Sequence, residues 1–184
     1  METGFFDKHK RFGVFGASES GKTTLAKKIS YTMFLSEKRH SYVLDVMERG
    51  KWGSHAKVFC DETAFWKYIG LNNHDLTKGA TNGLVIVDDA SVTINRDREL
   101  SGLFTTLRHR GHKLLVIGHG SENLLPQMRR QIQRIFLFLQ DEKSIIEWET
   151  VFPGKDLLPA TQLKQYQFLT TANYSPVEVF NLSK

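Results

Sequence analysis

Three groups of residues in this sequence have types and spacings that could do chemistry. The first is Gly16-Ala17-Ser18-Glu19-Ser20-Gly21-Lys22-Thr23-Thr24, which satisfies the pattern GxxxxGK[ST]. In such a stretch the glycines let the backbone curl until successive N–H groups face one point, at the positive end of a helix. The cradle suits the phosphates of a nucleotide such as ATP. Lys22 would reach the β and γ phosphates, and the Thr23 hydroxyl would ligate the Mg²⁺ that bridges them. Glu19 is the odd member, an acid inside an anion-binding loop, which either points outward or meets a basic residue of a neighbouring subunit. The second group is Asp88-Asp89, at the end of the apolar run Gly83-Leu84-Val85-Ile86-Val87. Asp88 would hold the metal shell and Asp89 could polarise an attacking water. The third is His119, set between Gly118 and Gly120 after the run from Lys113 to Ile117; the glycines allow close approach to a ligand, and a plain surface histidine is the alternative.

The elements that must position these groups are readable from periodicity. Arg11 to Phe15 reads as a short buried strand, and Leu25, Ala26, Ile29 and Met33 then recur at helical spacing, which is the strand, loop and helix context that a phosphate loop needs. Ser41 to Asp45 reads as a second strand, with Asp45 either facing the site or sitting as a surface turn acid. AKVFC is a short strand, and Asp61 is the expected N-cap of a helix carrying Phe65, Trp66 and Ile69 that stops at Gly70. The run ending in Asp88 has the continuous apolar character of a central parallel strand. Leu100, Leu103, Phe104 and Leu107 mark an amphipathic helix closed by Arg108, Arg110 and Gly111. The buried strand before His119, a turn into a short helix at Leu124 to Arg130, and a strand from Arg134 to Leu139 follow. EKSIIEWETVF then predicts a helix, and QYQFLTT with VEVFNL a terminal hairpin.

Composition narrows the class. A chain of 184 residues with 40% hydrophobic and 24% charged residues fits one α/β domain spanning 1–184, and no apolar run approaches the roughly 20 residues of a membrane span. The N-terminal METGFFDKHKRFG lacks the apolar core of a secretory signal, and the lone Cys60 has no internal disulfide partner, which together suit a reducing, cytosolic setting. The formal charge is +5, and the whole excess lies between Asn95 and Arg134, where eight basic residues face three acids. That stretch permits a polyanionic partner, although solvated faces and helix ends would account for any single cation.

A phosphate loop after the first strand and paired acids ending a later central strand suggest a RecA-like ATPase. The order from Val85 to Phe138 is VIVDDA, a helix, LRHRG, a strand, LLPQMRRQI and RIFLF. It resembles the FtsK/HerA superfamily of DNA-pumping ATPases. Within that superfamily it is most similar to the small genome-packaging ATPases of viruses with double jelly-roll capsids, over roughly residues 11 to 139. The SYVLD strand and the following KWG fit the same group.

The resemblance implies a mainly parallel central sheet flanked by helices, with Lys22 and Thr23 as the Walker A pair and Asp88 and Asp89 as the Walker B acids. It implies that Arg108 is an arginine finger reaching the next subunit's nucleotide, that His119 stands where the family carries a polar sensor, and that Arg129 is a second basic candidate. Viral DNA, capsid or portal-vertex proteins and further copies in a ring are the implied partners, with action in the virion or host cytoplasm. Two departures are Asp89 where many relatives have Glu, and His119 where they often have Gln. Given a packaging role, Arg96 and Arg98 in the loop after the acids are the expected contacts to DNA phosphates. Two other readings share the phosphate loop: a small-molecule or nucleoside kinase, and a GTP-dependent switch, against which stands the lack of an NKxD sequence.

Overall fold

Strand β1, Arg11–Phe15, lies inside the sheet and is hydrogen-bonded along both edges, so its residues from Phe12 onward are buried. The computed structural model describes residues 9–47, 51–70, 79–88 and 107–182. Among these, β1 is followed by helix α1 (Lys22–Glu37), β2 (Ser41–Leu44), β3 (Ala56–Phe59), helix α2 (Glu62–Ile69), β4 (Leu84–Val87) and β5 (Lys113–Gly118). The short helix α3 (Pro126–Arg129), β6 (Arg134–Leu137), helix α4 (Glu142–Val151), β7 (Gln167–Ala172) and β8 (Glu178–Asn181) complete the order. The strands form one sheet in the order β3-β2-β4-β5-β1-β6-β7-β8. Pairing is parallel from β3 to β6 and antiparallel for β6 with β7 and β7 with β8, which is the expected terminal hairpin.

Strand alternation divides the core between the two faces. Phe12 and Val14 of β1, Leu84 and Ile86 of β4, and Leu115 and Ile117 of β5 pack with Leu25, Ala26, Ile29 and Met33 of α1. Their neighbours Phe15, Val85, Val87, Leu114 and Val116 turn to the opposite face, where Phe65 and Ile69 of α2 and Trp148 of α4 cover them. The periodicity read from the sequence is therefore the division between two burial surfaces. Burying each such side chain contributes roughly 1.5–3 kcal/mol, so polar groups are unwelcome on either face.

This division fixes where a ligand can go. The chain leaves β1 toward the α1 face, but it leaves β5 toward Leu124 and Met128 on the opposite face. Because β1 and β5 are adjacent, their carboxyl ends part and open a crevice between them. Both the glycine loop and His119 follow those strand ends.

Local capping follows the sequence reading. The Asp61 carboxylate accepts from Ala64 N at 2.6 Å and Gly70 closes α2 in the left-handed region. The strand drawn from Arg134 to Leu139 is regular through Leu137, and Phe138, whose N–H still donates to Phe15 O at 2.8 Å, remains buried. Residues 107–109 are helical; the rest of the amphipathic helix expected around Leu100, Leu103 and Phe104 lies outside the described residues.

His112, just before β5, is buried, 3% exposed. Gly83 N donates to Nδ1 at 3.0 Å, and Nε2 lies 2.9 Å from Ala80 O. An accepting Nδ1 requires the neutral ring with its proton on Nε2. Burial pushes the His112 pKa below the ordinary histidine value, and burial acts likewise on His55. The unfolded chain therefore takes up protons that the folded chain refuses, and stability falls as pH drops below about 6.5. Glu37 and Glu147, held below the ordinary carboxylate value, add their losses only at lower pH. The melting temperature should thus decline between pH 7 and pH 5. In His112→Gln, which keeps a donor and an acceptor but cannot titrate, that decline should be shallower; equal slopes in a calorimetric pH series would show that His112 does not cause it.

Candidate active site

The loop between β1 and α1 begins with a close approach that only glycine permits. A Cβ on Gly16 would lie 2.5 Å from Phe138 Cβ, against a side chain already buried beneath the sheet. Gly16 N donates to Gly118 O at 3.3 Å, tying the loop to the end of β5. At the far end Gly21 has φ 109° and begins α1, and no side chain caps the helix there among the described residues. Nor is there an acid in the first turn. The first turn of α1, with its N–H groups and the positive end of the helix dipole, lines the crevice, where it suits an anion.

Lys22 extends back over this loop, and its Nζ donates to Gly16 O at 2.8 Å and Ala17 O at 2.7 Å. The ammonium is thereby held at the loop's mouth, on acceptors that phosphate oxygens can replace. Ala17, Ser18 and Glu19 are exposed; Glu19 adopts φ 59° and faces solvent within this chain, while Ser20 is buried. Thr24 is exposed on the first turn.

Thr23 Oγ1 donates to Asp88 Oδ2 at 3.2 Å. These residues are 65 positions apart in sequence, and Asp88 is 7% exposed at the end of β4. A hydroxyl and a buried carboxylate side by side, next to a phosphate cradle, are the hard oxygen donors that Mg²⁺ prefers, with the remaining positions filled by phosphate and water. Among the described residues no group of three or more His, Cys, Asp or Glu side chains forms a separate metal cage. The residues present fit a nucleotide-bound Mg²⁺.

His119 lines the same cleft, of about 630 Å³. Its backbone is fixed from two sides: Asn123 Oδ1 accepts from His119 N at 2.5 Å and Gly120 N at 2.9 Å, while Gln140 Nε2 donates to His119 O at 3.0 Å. Asn123 and Gln140 escaped the sequence reading because they touch only backbone; the signal available was a polar residue at each edge of a predicted turn. Gln165 and Tyr166 also line the cleft and were missed, being remote from every motif. Asp45 proves to be interior rather than a surface turn acid, 1% exposed and accepting from Trp52 Nε1 at 3.3 Å.

Arg108 sits at the other end of the sheet. It lies in the helical turn that leads into β5, whereas the cleft follows β5. A strand of six residues spans about 20 Å, so Arg108 cannot reach its own chain's phosphate loop. There it shares a hollow of about 270 Å³ with Lys10, Arg11, His112 and Gln133, and among the described residues no carboxylate lines it. Burial, and then the charge of Arg108, push the Arg11 guanidinium below its ordinary pKa. Arg129 points elsewhere, forming an ion pair with Glu147 of α4. A hydrogen bond from Ser121, with the Arg129 charge, holds the Glu147 carboxyl low against the opposing effect of burial. Asp89, Arg96 and Arg98 lie outside the described residues.

The sheet order, the strand β5 inserted between the phosphate-loop strand and the strand bearing Asp88, and the loop geometry define the fold of a RecA-like P-loop NTPase. Among solved structures with this fold is the genome packaging NTPase B204 of Sulfolobus turreted icosahedral virus 2 in complex with AMPPCP. It aligns at TM-score 0.73 and 18% identity over 98% of this chain and 98% of that one. The cytoplasmic domain of the type VII secretion ATPase EccC of Thermomonospora curvata aligns at 0.68 and 16%, over 96% of this chain but 24% of that one. The N-terminal domain of zonular occludens toxin from Neisseria meningitidis aligns at 0.52 and 13%, over 96% and 95%. At these identities the likeness is one of fold, and it agrees with the FtsK/HerA resemblance drawn from the sequence. No family model and no curated protein sequence matches the chain.

Replacing Lys22 by Ala removes the cation held at the loop mouth. Loss of one such charge from developing phosphate oxygens costs about 10²–10³ in turnover, so phosphate release should fall at least that far. Turnover within a few-fold of wild type would take Lys22 out of the site.

Proposed function

We propose that the chain is an ATP hydrolase that assembles head to tail into a homo-oligomeric ring and drives viral genomic DNA into a preformed capsid. The observation that carries this reading is the division of charge between the two ends of the sheet. Phosphate-binding groups gather at the carboxyl end, while the cationic hollow of Arg11 and Arg108, which no acid among the described residues lines, lies at the amino end. A single chain cannot bring both to one nucleotide. Copies stacked head to tail can, and when the rotation closes such contacts make rings. The packaging role itself draws on the B204 likeness and on the sequence resemblance. Capsid or portal-vertex proteins would be the docking partners, in the virion or the host cytoplasm.

In this reading the Lys22 ammonium moves from the Gly16 and Ala17 carbonyls onto the β and γ phosphates, as the N-terminus of α1 binds the phosphate chain. Mg²⁺, held by Thr23 and Asp88, would supply charge neutralisation across those phosphates. Asp89 orients and polarises water, and His119, fixed by Asn123 and Gln140, senses the γ-phosphate from the end of β5. Arg108 of the neighbouring copy neutralises charge that develops in transfer. Arg129 has no part in this scheme, because Glu147 already holds it. The kinase alternative is disfavoured by β5, which separates β1 from β4 and brings a pinned histidine, rather than an open acceptor pocket, to the phosphates.

Lys22→Ala and Arg108→Ala proteins should each be inactive alone, since such fingers are worth ~10³ or more. Mixed, they should regain ATPase activity at interfaces that join an intact Lys22 to an intact Arg108. No recovery at any ratio, with mixed rings shown by mass, would refute action between subunits.

DNA should stimulate hydrolysis, with binding that weakens by a slope of about 0.9 per neutralised phosphate on duplex as salt rises. Arg96→Ala with Arg98→Ala should reduce that slope and the stimulation while basal hydrolysis persists. Salt-insensitive binding would count against a grip through phosphates, and an ATPase indifferent to DNA against the motor itself.

A further inference from the structure

Tyr166, the residue just before β7, has φ 63°, a left-handed conformation that bulky side chains rarely adopt and glycine adopts freely. Strain of this kind persists where surrounding contacts impose it, and it concentrates at ligand sites. Here the contacts are with the phosphate loop. Tyr166 N donates to Ser20 O at 3.3 Å, Gln165 Nε2 donates to Glu19 O at 3.3 Å, and Leu182 N donates to Tyr166 O at 2.7 Å. The ring lies against the loop's last residue, since a Cβ on Gly21 would stand 3.0 Å from Tyr166 Cδ1. The half-buried aromatic is thus fixed to the cradle through backbone bonds, and it also lines the cleft.

The cleft of about 630 Å³ is larger than a phosphate chain requires and within the range of sites for whole small molecules. With the terminal phosphates at Lys22 and Thr23, the nucleoside must leave the cradle along its open rim. The exposed Ser18, Thr24 and Gln165 stand there, and Tyr166 offers a phenol ring among the lining residues. On the reading that this loop binds a nucleoside triphosphate, we infer that Tyr166 is the stacking platform for the nucleobase, with the Gln165 amide at the base edge. The two residues preceding β7 therefore couple base recognition to the shape of the phosphate loop, because the bonds that place the ring end on Glu19 and Ser20.

The discriminating substitution is Tyr166→Gly, which removes the ring and suits the left-handed backbone. In titration calorimetry with Mg²⁺, Tyr166→Gly should weaken ATP binding by roughly 5- to 160-fold, the range for loss of one aromatic stack. It should leave inorganic tripolyphosphate binding within about two-fold. Tyr166→Phe, which keeps the aromatic face, should bind ATP within about three-fold of wild type. Two results would overturn the inference: ATP binding by Tyr166→Gly equal to wild type, or equal losses of ATP and tripolyphosphate, which would mean that the ring only braces the loop. Failure of the wild-type protein to bind either probe would overturn the nucleotide reading, and this inference with it.

Discussion

The structure depends on a helix N-terminus held at the end of a buried strand. α1 begins at Gly21, where no side chain among the described residues caps the helix, and the preceding loop is pressed so closely against Phe138 and the end of β5 that its path is fixed. Helix N–H groups that converge on one point at the positive end of the dipole favour a negative ligand there. Lys22, folded onto the loop's own carbonyls, supplies the complementary charge. The rest of the sheet serves this junction: β4 brings Asp88 to Thr23, and β5 brings His119 to the same crevice.

A parallel sheet has two unlike ends, and this protein uses both. Strands β1, β4 and β5 deliver their functional side chains at the carboxyl ends, while the turns feeding β1, β5 and β6 gather Lys10, Arg11, Arg108 and Gln133 at the amino ends. There the Arg11 guanidinium is desolvated by burial and repelled by Arg108, an arrangement that favours an anion brought from outside the chain. Elsewhere several basic residues are tied into the fold. Lys113 and Arg39 share Glu37, and Arg129 holds Glu147, so a count of charges along the sequence overstates the surface open to a polyanion.

The antiparallel hairpin at the C-terminus does more than finish the sheet. β7 pairs with β6, and the approach to β7 reaches back to Glu19 and Ser20. Leu182, just past β8, closes the arrangement by donating its N–H to Tyr166 O. The phosphate loop is consequently supported from the end of the chain as well as from the strand that precedes it.

By itself the sequence determined the local chemistry: GxxxxGK[ST] prescribes a loop and a helix, continuous apolar runs prescribe buried parallel strands, and Asp61 and Gly70 prescribe the bounds of a helix. Each of these is set by interactions within a few residues, so it is legible in order along the chain. Tertiary structure decided which distant groups meet. It paired Thr23 with Asp88, pinned His119 through Asn123 and Gln140, buried Asp45, committed Arg129 to Glu147, and placed Arg108 a strand's length from its own cleft. It also brought Tyr166 to the phosphate loop, for which no motif gave a sign. The physical reason is that strand order and facing are fixed by the burial of two apolar surfaces over the whole sheet, a property that no short stretch of the sequence carries.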